Sequence, residues 1–371
     1  MKLLELELHH FRNYEEAQVC FDPGVNMICG ENAQGKTNLL EAVHFLSHCK
    51  SFRGGNKKNI LSFGENAGEA LGKFDANSRE NTIRIRLERS RSMAVWVNGV
   101  REKRQADVIG RLRTVLFCPE DLYLIREGAA ARRRFMDSAL CQLKPNYSRY
   151  LDEYHKLLEH KTRILRDSEE KPSLLDTLDD FTMRMCQVGG FLIRYRAYYL
   201  KKLEVHAKEI HGFMAGGREK LEMSYATVSG VSDPFASAGQ ITAQLWEHAQ
   251  RHRKAEIAAR SCLSGPHKDD LLLFLDGESA KDYGSQGQVR TAALALKLAE
   301  REMFYRDSGE YPILLLDDVL SELDVRRQDF VINQISGGQV LITCCEREKL
   351  SRVQGGKTFW VEGGKVRESD R

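Results

Sequence analysis

The sequence predicts an α/β fold in which both ends of the chain build one mixed domain and an all-helical domain is inserted between them. Three observations carry that prediction. Residues 1–118 alternate apolar and polar positions at the two-residue period of strands, apart from one helical stretch. Residues 119–263 change to the three-to-four-residue period of helices. Residues 264–371 return to short apolar strands around one helix. The expected division is therefore 1–118, 119–263 and 264–371, with the outer segments forming a single head and the middle segment an arm.

The elements follow in order. "LLELELHHF" alternates Leu4, Leu6 and Leu8 with Glu5 and Glu7, the pattern of a half-buried strand and not of a signal peptide. "AQVCF" and "VNMIC" are further short strands, and a helix from about Gly35 to His48 carries Leu39, Leu40, Val43 and Leu46 on one face. "TIRIRLER" alternates strictly, and "MAVWVNG" ends in the hairpin signal Asn98-Gly99. "PEDLYLIREG" reads as a helix with Pro at its start and Gly at its end. Two long amphipathic helices joined by the polar "SEEKP" loop make an αα-hairpin, in which the stripe from Leu175 through Phe181, Tyr195 and Tyr199 to Leu203 is packing. "GQITAQLWEHAQRHRKAEIAAR" is another helix. Beyond Leu263 come the strands "DLLLFLDGE", "YPILLLDDV", "QVLITCC" and "TFWVEGGKVRE", with the helix "QVRTAALALKLAEREMFYR" among them.

Composition narrows the class. With 371 residues, 42% hydrophobic and 29% charged, the chain has ample core material for two or three domains. A formal charge of +3 permits nucleic-acid binding without arguing for it. Nine cysteines without metal-ligand spacing, the adjacent Cys344-Cys345 included, read as reduced thiols of a cytoplasmic protein. No run approaches the roughly 18 apolar residues of a membrane span. The histidines share no metal-ligand spacing.

Three motifs carry chemistry. Gly30-Glu31-Asn32-Ala33-Gln34-Gly35-Lys36-Thr37 fits G-x-x-x-x-G-K-[ST] between a strand and a helix. In such a loop backbone N–H groups cradle phosphates, Lys36 reaches the β- and γ-phosphates of ATP, and Thr37 offers a hydroxyl to Mg²⁺. In "YPILLLDDVLSELD" a buried strand delivers Asp317 and Asp318 at its C-terminal end, where parallel sheets bind ligands. Adjacent strand residues point to opposite sides, so one acid, Asp317, holds Mg²⁺ while Asp318 activates water. A solvated turn after a core strand would also place acids here. In "YGSQGQVRTAALALKLAE", Ser285, Gly287 and Gln288 open a long helix, which makes a second anion site or a plain helix cap. Two phosphate-binding helix starts beside one loop suggest a homodimer in ATP, each Ser285 loop closing on the partner's γ-phosphate.

The order of these motifs resembles ABC-type ATPases, and the helical insertion resembles their SMC-like branch. "LHHFRNY", "GENAQGKTNLLEAV", "KSFR", "FCPEDLYLIREG", "RRRFMD", "GPHKDDL", "GSQGQVRTAALALKLAE" and "LLLDDVLSELD" are similar to the RecF family and cover most of the chain. The resemblance implies a split ABC/SMC-like P-loop ATPase head with an inserted arm. It places Arg12 and Asn13 near the nucleotide and Asp324 at a dimer seam. It further implies ATP-dependent binding of single- and double-stranded DNA, recombinational repair and replication restart within the SOS response, recombinase loading with RecO and RecR, and weak, DNA-stimulated hydrolysis. Where transporter ATPases carry a switch histidine after a "VLIT"-like strand, this sequence has Cys344, which predicts slow hydrolysis. "FCPEDL" is the nearest candidate for a Q-loop. The basic clusters "RGGNKK", "REKRQADVIGRLR", "RRR" and "QRHRKAEIAAR" are candidate DNA contacts, the sharpest sets being Arg101, Lys103 and Arg104, and Arg251, Arg253 and Lys254. The alternatives are the ATPase subunit of an ABC transporter, which the missing histidine and the arm oppose, and a small-molecule phosphotransferase, in which Ser285 and Asp324 have no role.

Overall fold

A computed structural model of the chain describes residues 1–54, 57–227, 230–334, 337–345 and 356–369. The chain divides into two units, Met1–Tyr123 with Ala293–Arg371, and Leu124–Ala292. In chain order the first unit opens with β1 (Lys2–Phe11), β2 (Tyr14–Cys20), β3 (Val25–Cys29), α1 (Lys36–His48), β4 (Ala67–Ala76), β5 (Arg79–Glu88), β6 (Ala94–Val97), β7 (Val100–Arg101) and β8 (Thr114–Phe117). The second unit holds α2 (Ala129–Leu143), α3 (Pro145–Asp167), α4 (Leu178–Ala215), β9 (Leu221–Ala226), α5 (Ala238–Ala259), β10 (Asp270–Leu275) and β11 (Glu278–Ser279). Helix α6 (Gln286–Ser308) runs through the division. The first unit then resumes with β12 (Ile313–Leu316), α7 (Val325–Gln334), β13 (Val340–Cys344), β14 (Lys357–Glu362) and β15 (Lys365–Glu368).

The first unit is an α/β head drawn from both ends of the chain. One sheet, β2-β1-β4-β5-β6-β7, is antiparallel. The other runs β15-β14-β3-β13-β12-β8, parallel except for its edge strand β15. Helix α1 packs against β1, β4 and β5 of the first sheet and against β8 and β13 of the second. Leu39, Leu40, Val43, Phe45 and Leu46 are at most 1% exposed. Burying each such side chain contributes about 1.5–3 kcal/mol, so both faces of α1 fix the glycine-rich loop that precedes it. Strand β4 escapes the sequence reading because Gly68 and Gly72 weaken its pattern. A Cβ on Gly72 would lie 2.7 Å from Leu46 Cδ1, so a glycine there lets α1 approach the sheet.

The second unit departs from an all-helical expectation. Helices α3 and α4 form the expected hairpin, and Leu178, Met185, Val188, Leu192, Tyr199 and Leu203 of α4 are buried. A small antiparallel sheet, β11-β10-β9, joins them. Because β10 pairs with β9 along its whole length, from Asp270↔Ala226 to Leu275↔Leu221, the segment after residue 263 stays with the second unit as far as Ala292. The stretch beginning at Pro119 also differs. Pro119–Tyr123 forms a single 3-10 turn, in which the Asp121 carboxylate accepts from Cys118 N (3.0 Å) in place of a continued helix.

Candidate nucleotide site

Parallel pairing gathers the functional loops on one edge of the head. Leu316 of β12 is level with Ile342 of β13 and Phe117 of β8, and Cys344 of β13 is level with Cys29 of β3. The chain therefore leaves these four strands on the same edge, into Gly30–Gly35, Cys345, Asp317 and Cys118. This is where open parallel sheets receive ligands.

The loop is braced from outside by the "RNY" segment after β1. Asn13 Nδ2 donates to Gln34 O (2.8 Å), Asn38 Nδ2 donates to Asn13 Oδ1 (2.8 Å), and Tyr14 OH donates to Gly35 O (3.0 Å). Gly35 has φ 122°, and a Cβ there would lie 2.6 Å from Asn13 Nδ2, so no side chain is admissible. Gln34 is itself held by the turn between β14 and β15, its Oε1 accepting from Gly363 N (2.7 Å). Glu31, Asn32 and Ala33 are exposed at the rim.

Inside the loop Lys36 is buried and donates to Gly30 O (2.7 Å) and Glu31 O (2.8 Å). The loop's carbonyls thus hold its ammonium at the mouth. Thr37 Oγ1 donates to Asp317 Oδ1 (3.0 Å), which joins the loop to the end of β12. Thr343 was not anticipated from the sequence, yet it organises both acids. Its Oγ1 donates to Asp317 Oδ1 (3.0 Å) and accepts from Asp318 N (2.8 Å). Burial raises the Asp317 carboxyl above its usual range, opposed by the hydrogen bonds from Thr343 and Thr37. A carboxylate with a hydroxyl beside it is a hard-oxygen donor pair of the kind that holds Mg²⁺, and a cation there would offset the cost of burying the charge. Asp318 has φ 50° and is half-buried, and the bond it gives Thr343 comes from its backbone N–H.

The other expected residues fall as follows. Arg12 also lies beside the loop's helix, but its guanidinium forks onto the buried carboxylate of Glu41, Nε to Oε2 at 2.9 Å and Nη2 to Oε1 at 2.5 Å. Asp324 is exposed and caps α7, accepting from Arg327 N (3.0 Å). In the second unit Ser285 and Gln288 form a reciprocal cap at the start of α6: Gln288 Oε1 accepts from Ser285 N (2.8 Å) and Ser285 Oγ from Gln288 N (3.3 Å). Gly287 sits in the first turn of that helix. Cys344 does not stand at the nucleotide position. It packs on Cys29 with sulfurs 3.1 Å apart, and that contact together with burial pushes its thiol far up. The neighbouring Cys345 faces the loop instead, with Sγ 3.5 Å from Lys36 Nζ and 2.9 Å from Asn32 Oδ1.

Two other motifs meet within the second unit. Arg132 of "RRRFMD" forks onto Asp270 of "GPHKDDL" (2.8 Å twice), and Arg196 bridges Asp137 (2.9 Å) to Pro266 O (2.7 Å). Tyr154 OH contacts His267 Nδ1 (2.7 Å), and burial lowers that histidine to about 4, so it is a neutral structural partner. Among the basic clusters, Arg104 pairs with Asp107, Arg251 with Glu247 and Arg253 with Asp179. Gly55 and Asn56 of "RGGNKK" lie outside the described residues.

Comparison with known proteins agrees along the whole chain. The RecF/RecN/SMC N terminal domain matches residues 2–362. The DNA replication and repair protein RecF of Agathobacter rectalis is 37% identical over 368 residues, 99% of each chain. That of Enterococcus faecalis is 36% identical over 373 residues, covering 99% of this chain and 98% of its own. The solved structure of the recombination mediator protein RecF-ATP in the RecFOR pathway superposes with a TM-score of 0.91 at 32% identity, covering 100% of this chain and 98% of that one. An Smc head domain from Pyrococcus furiosus, at TM-score 0.57 and 15% identity over 99% and 96% of the chains, shares the fold.

Proposed function

Since the chain belongs to the RecF family of SMC-like ATPases, we propose that it is an ATP-dependent DNA-binding protein of replication and recombinational repair, a cytoplasmic dimer that ATP closes on DNA and slow hydrolysis reopens. The relatives favour this reading and lend nothing to the transporter one. No helix among the described residues is long and apolar enough to cross a membrane. The single observation that carries the ATPase assignment is the hydrogen-bonded chain from Thr37 through Asp317 to Thr343, because it links the phosphate loop to the acids of a different strand.

In this reading Gly30 to Thr37 bind the phosphates of ATP, and Lys36 exchanges the carbonyls of Gly30 and Glu31 for phosphate oxygens. Thr37 and Asp317 would hold Mg²⁺, which when bound supplies the positive charge that offsets the phosphates. Asp318, whose carboxylate is not drawn into the Thr343 network, is the base that takes a proton from the attacking water. Asn13 positions the loop through Gln34, and Arg12 positions α1 through Glu41. Ser285, Gly287, Gln288 and Asp324 serve across the dimer, on the partner's nucleotide. Slow turnover follows from the absence of a histidine after β13, where Cys345 and not the expected Cys344 faces the loop. DNA of single- or double-stranded form, RecO and RecR are the partners implied, and DNA stimulates hydrolysis.

The test is the anisotropy of labelled duplex and gapped DNA with and without a slowly hydrolysed ATP analogue. ATP should tighten DNA binding, and Lys36→Ala should lose ATP affinity by roughly 10- to 100-fold along with that gain. DNA affinity indifferent to nucleotide in the parent rejects the gating.

A further inference from the structure

Helix α4 buries one side against its neighbours and leaves the other uncovered, and that free side is patterned. Phe191, Arg194, Tyr198 and Lys201 succeed one another at three- and four-residue spacing on one face. Phe191 is 39% exposed and Tyr198 43%. Single exposed apolar side chains are ordinary, whereas a row of rings is not. The rings are held in defined poses. Phe191 stacks flat on Tyr150, with centroids 4.7 Å apart and planes 5° apart. Tyr198 meets the exposed Phe235 edge to face at 5.3 Å. Each pose is completed by a cation: Arg194 Cζ lies 5.6 Å from the Tyr198 centroid and Lys201 Nζ lies 5.4 Å from that of Phe235. Neither cation has a carboxylate partner among the described residues, whereas Lys208 on the same helix is paired with Glu204 at 2.8 Å.

We propose that this face of α4 is a binding surface for single-stranded nucleic acid, its rings stacking on unpaired bases and Arg194 and Lys201 contacting the intervening phosphates. The proposal rests on the DNA-binding reading above and adds a surface to it. Alternation of rings with unneutralised cations matches the alternation of bases with phosphates along a single strand. Duplex DNA keeps its base faces inside the stack and offers nothing to Phe191 or Tyr198, so phosphate binding alone would not call for aromatic rings here. The two-turn separation of Phe191 and Tyr198, about 10 Å along the helix, leaves room for a phosphate at Arg194 between them. An apolar protein partner would be opposed by burying two unpaired charges.

The experiment uses the full chain and two fluorescent probes, oligothymidylate and an abasic strand of equal length. Phe191→Ala with Tyr198→Ala should weaken oligothymidylate binding roughly tenfold or more and leave the abasic strand unchanged. Arg194→Gln with Lys201→Gln should weaken both and reduce the salt slope by a little over 1. Tyr198→Trp should keep the affinity and report binding by quenching beyond that of the parent's three tryptophans, which separates loss of contact from loss of fold. Oligothymidylate affinity unchanged in the double aromatic variant overturns the assignment and leaves this face to a protein partner. ATP-gated duplex binding is measured on the same variants. If it persists in that outcome, the surface falls and the gating stands. If the rings matter but duplex binding ignores ATP, the surface stands and the gating falls.

Discussion

Thr343 holds two carboxylate residues with one hydroxyl, giving a proton to Asp317 and taking the N–H of Asp318. The two acids are consequently set apart in their surroundings, and they should fail differently. Asp318→Asn should bind ATP normally and hydrolyse it roughly 100-fold or more slowly, since an amide takes no proton from water. Asp317→Asn should behave otherwise. Burial disfavours the Asp317 charge, so removing it should leave the melting temperature of the nucleotide-free protein unchanged or higher, while ATP with Mg²⁺ no longer raises it. Thermal shift and phosphate release on both variants decide the matter; identical profiles would refute the division of labour.

At the scale of elements, α1 is both the phosphate helix and a buried structural rod. Its last turn carries His44 and His48, stacked 4.0 Å apart with Lys50 and Lys297 nearby. Burial lowers His48 to about 4 and His44 well below 6.5, so both rings are neutral in the folded chain. Unfolding returns them to about 6.5. Stability is therefore complete above that value and declines as pH falls toward 4, because the unfolded chain takes up more protons. Melting temperatures at about pH 7 and about pH 5 should differ less in His48→Gln than in the parent, by the equivalent of about 2 kcal/mol. The same helix shows what a sequence reveals. Its apolar face and glycine-rich start are local patterns, and they were legible. Strand β4 was not, because Gly72, which admits α1, and Gly68, which lies against the carbonyls of His9 and His10, erase its strand signature, and the need for them arises only from distant neighbours. Strand β9 is half-buried and became a strand by pairing with β10, which drew residues 264–292 out of the expected head segment. Thr343 was hidden for a like reason, since only the register of β13 beside β12 brings it to the acids.

For the molecule as a whole, the start of α6 carries the dimer hypothesis. Ser285 and Gln288 complete a helix cap by themselves, so the cap alone would account for both residues. The variants Ser285→Asn and Ser285→Arg separate the two roles. Asparagine retains capping, whereas arginine loses about 1 kcal/mol of it and fills the space in front of the helix with a bulky cation. Light scattering in saturating ATP should find Ser285→Arg monomeric with ATP affinity near the parent's, and Ser285→Asn closer to the parent in assembly. A fully dimeric Ser285→Arg would confine this residue to capping.

The interleaving of distant strands in the parallel sheet has a consequence for how the protein is made. Strand β3 lies between β13 and β14, and Cys29 meets a neighbour 315 positions later. During synthesis its two edges stay unpaired until nearly the whole chain has emerged, and pairings of such separation are slow to form. The antiparallel strands β1, β2, β4 and β5 can assemble early, and Leu124–Ala292 is contiguous and can close on itself next. Ribosome-bound chains halted once residue 292 has cleared the exit tunnel, but before β13 emerges, should therefore resist protease across 124–292 while being cut around β3. The released full chain should be protected in both places. A nascent chain would thus carry its glycine-rich loop for most of translation without the acids that complete it, becoming competent for nucleotide only at the end.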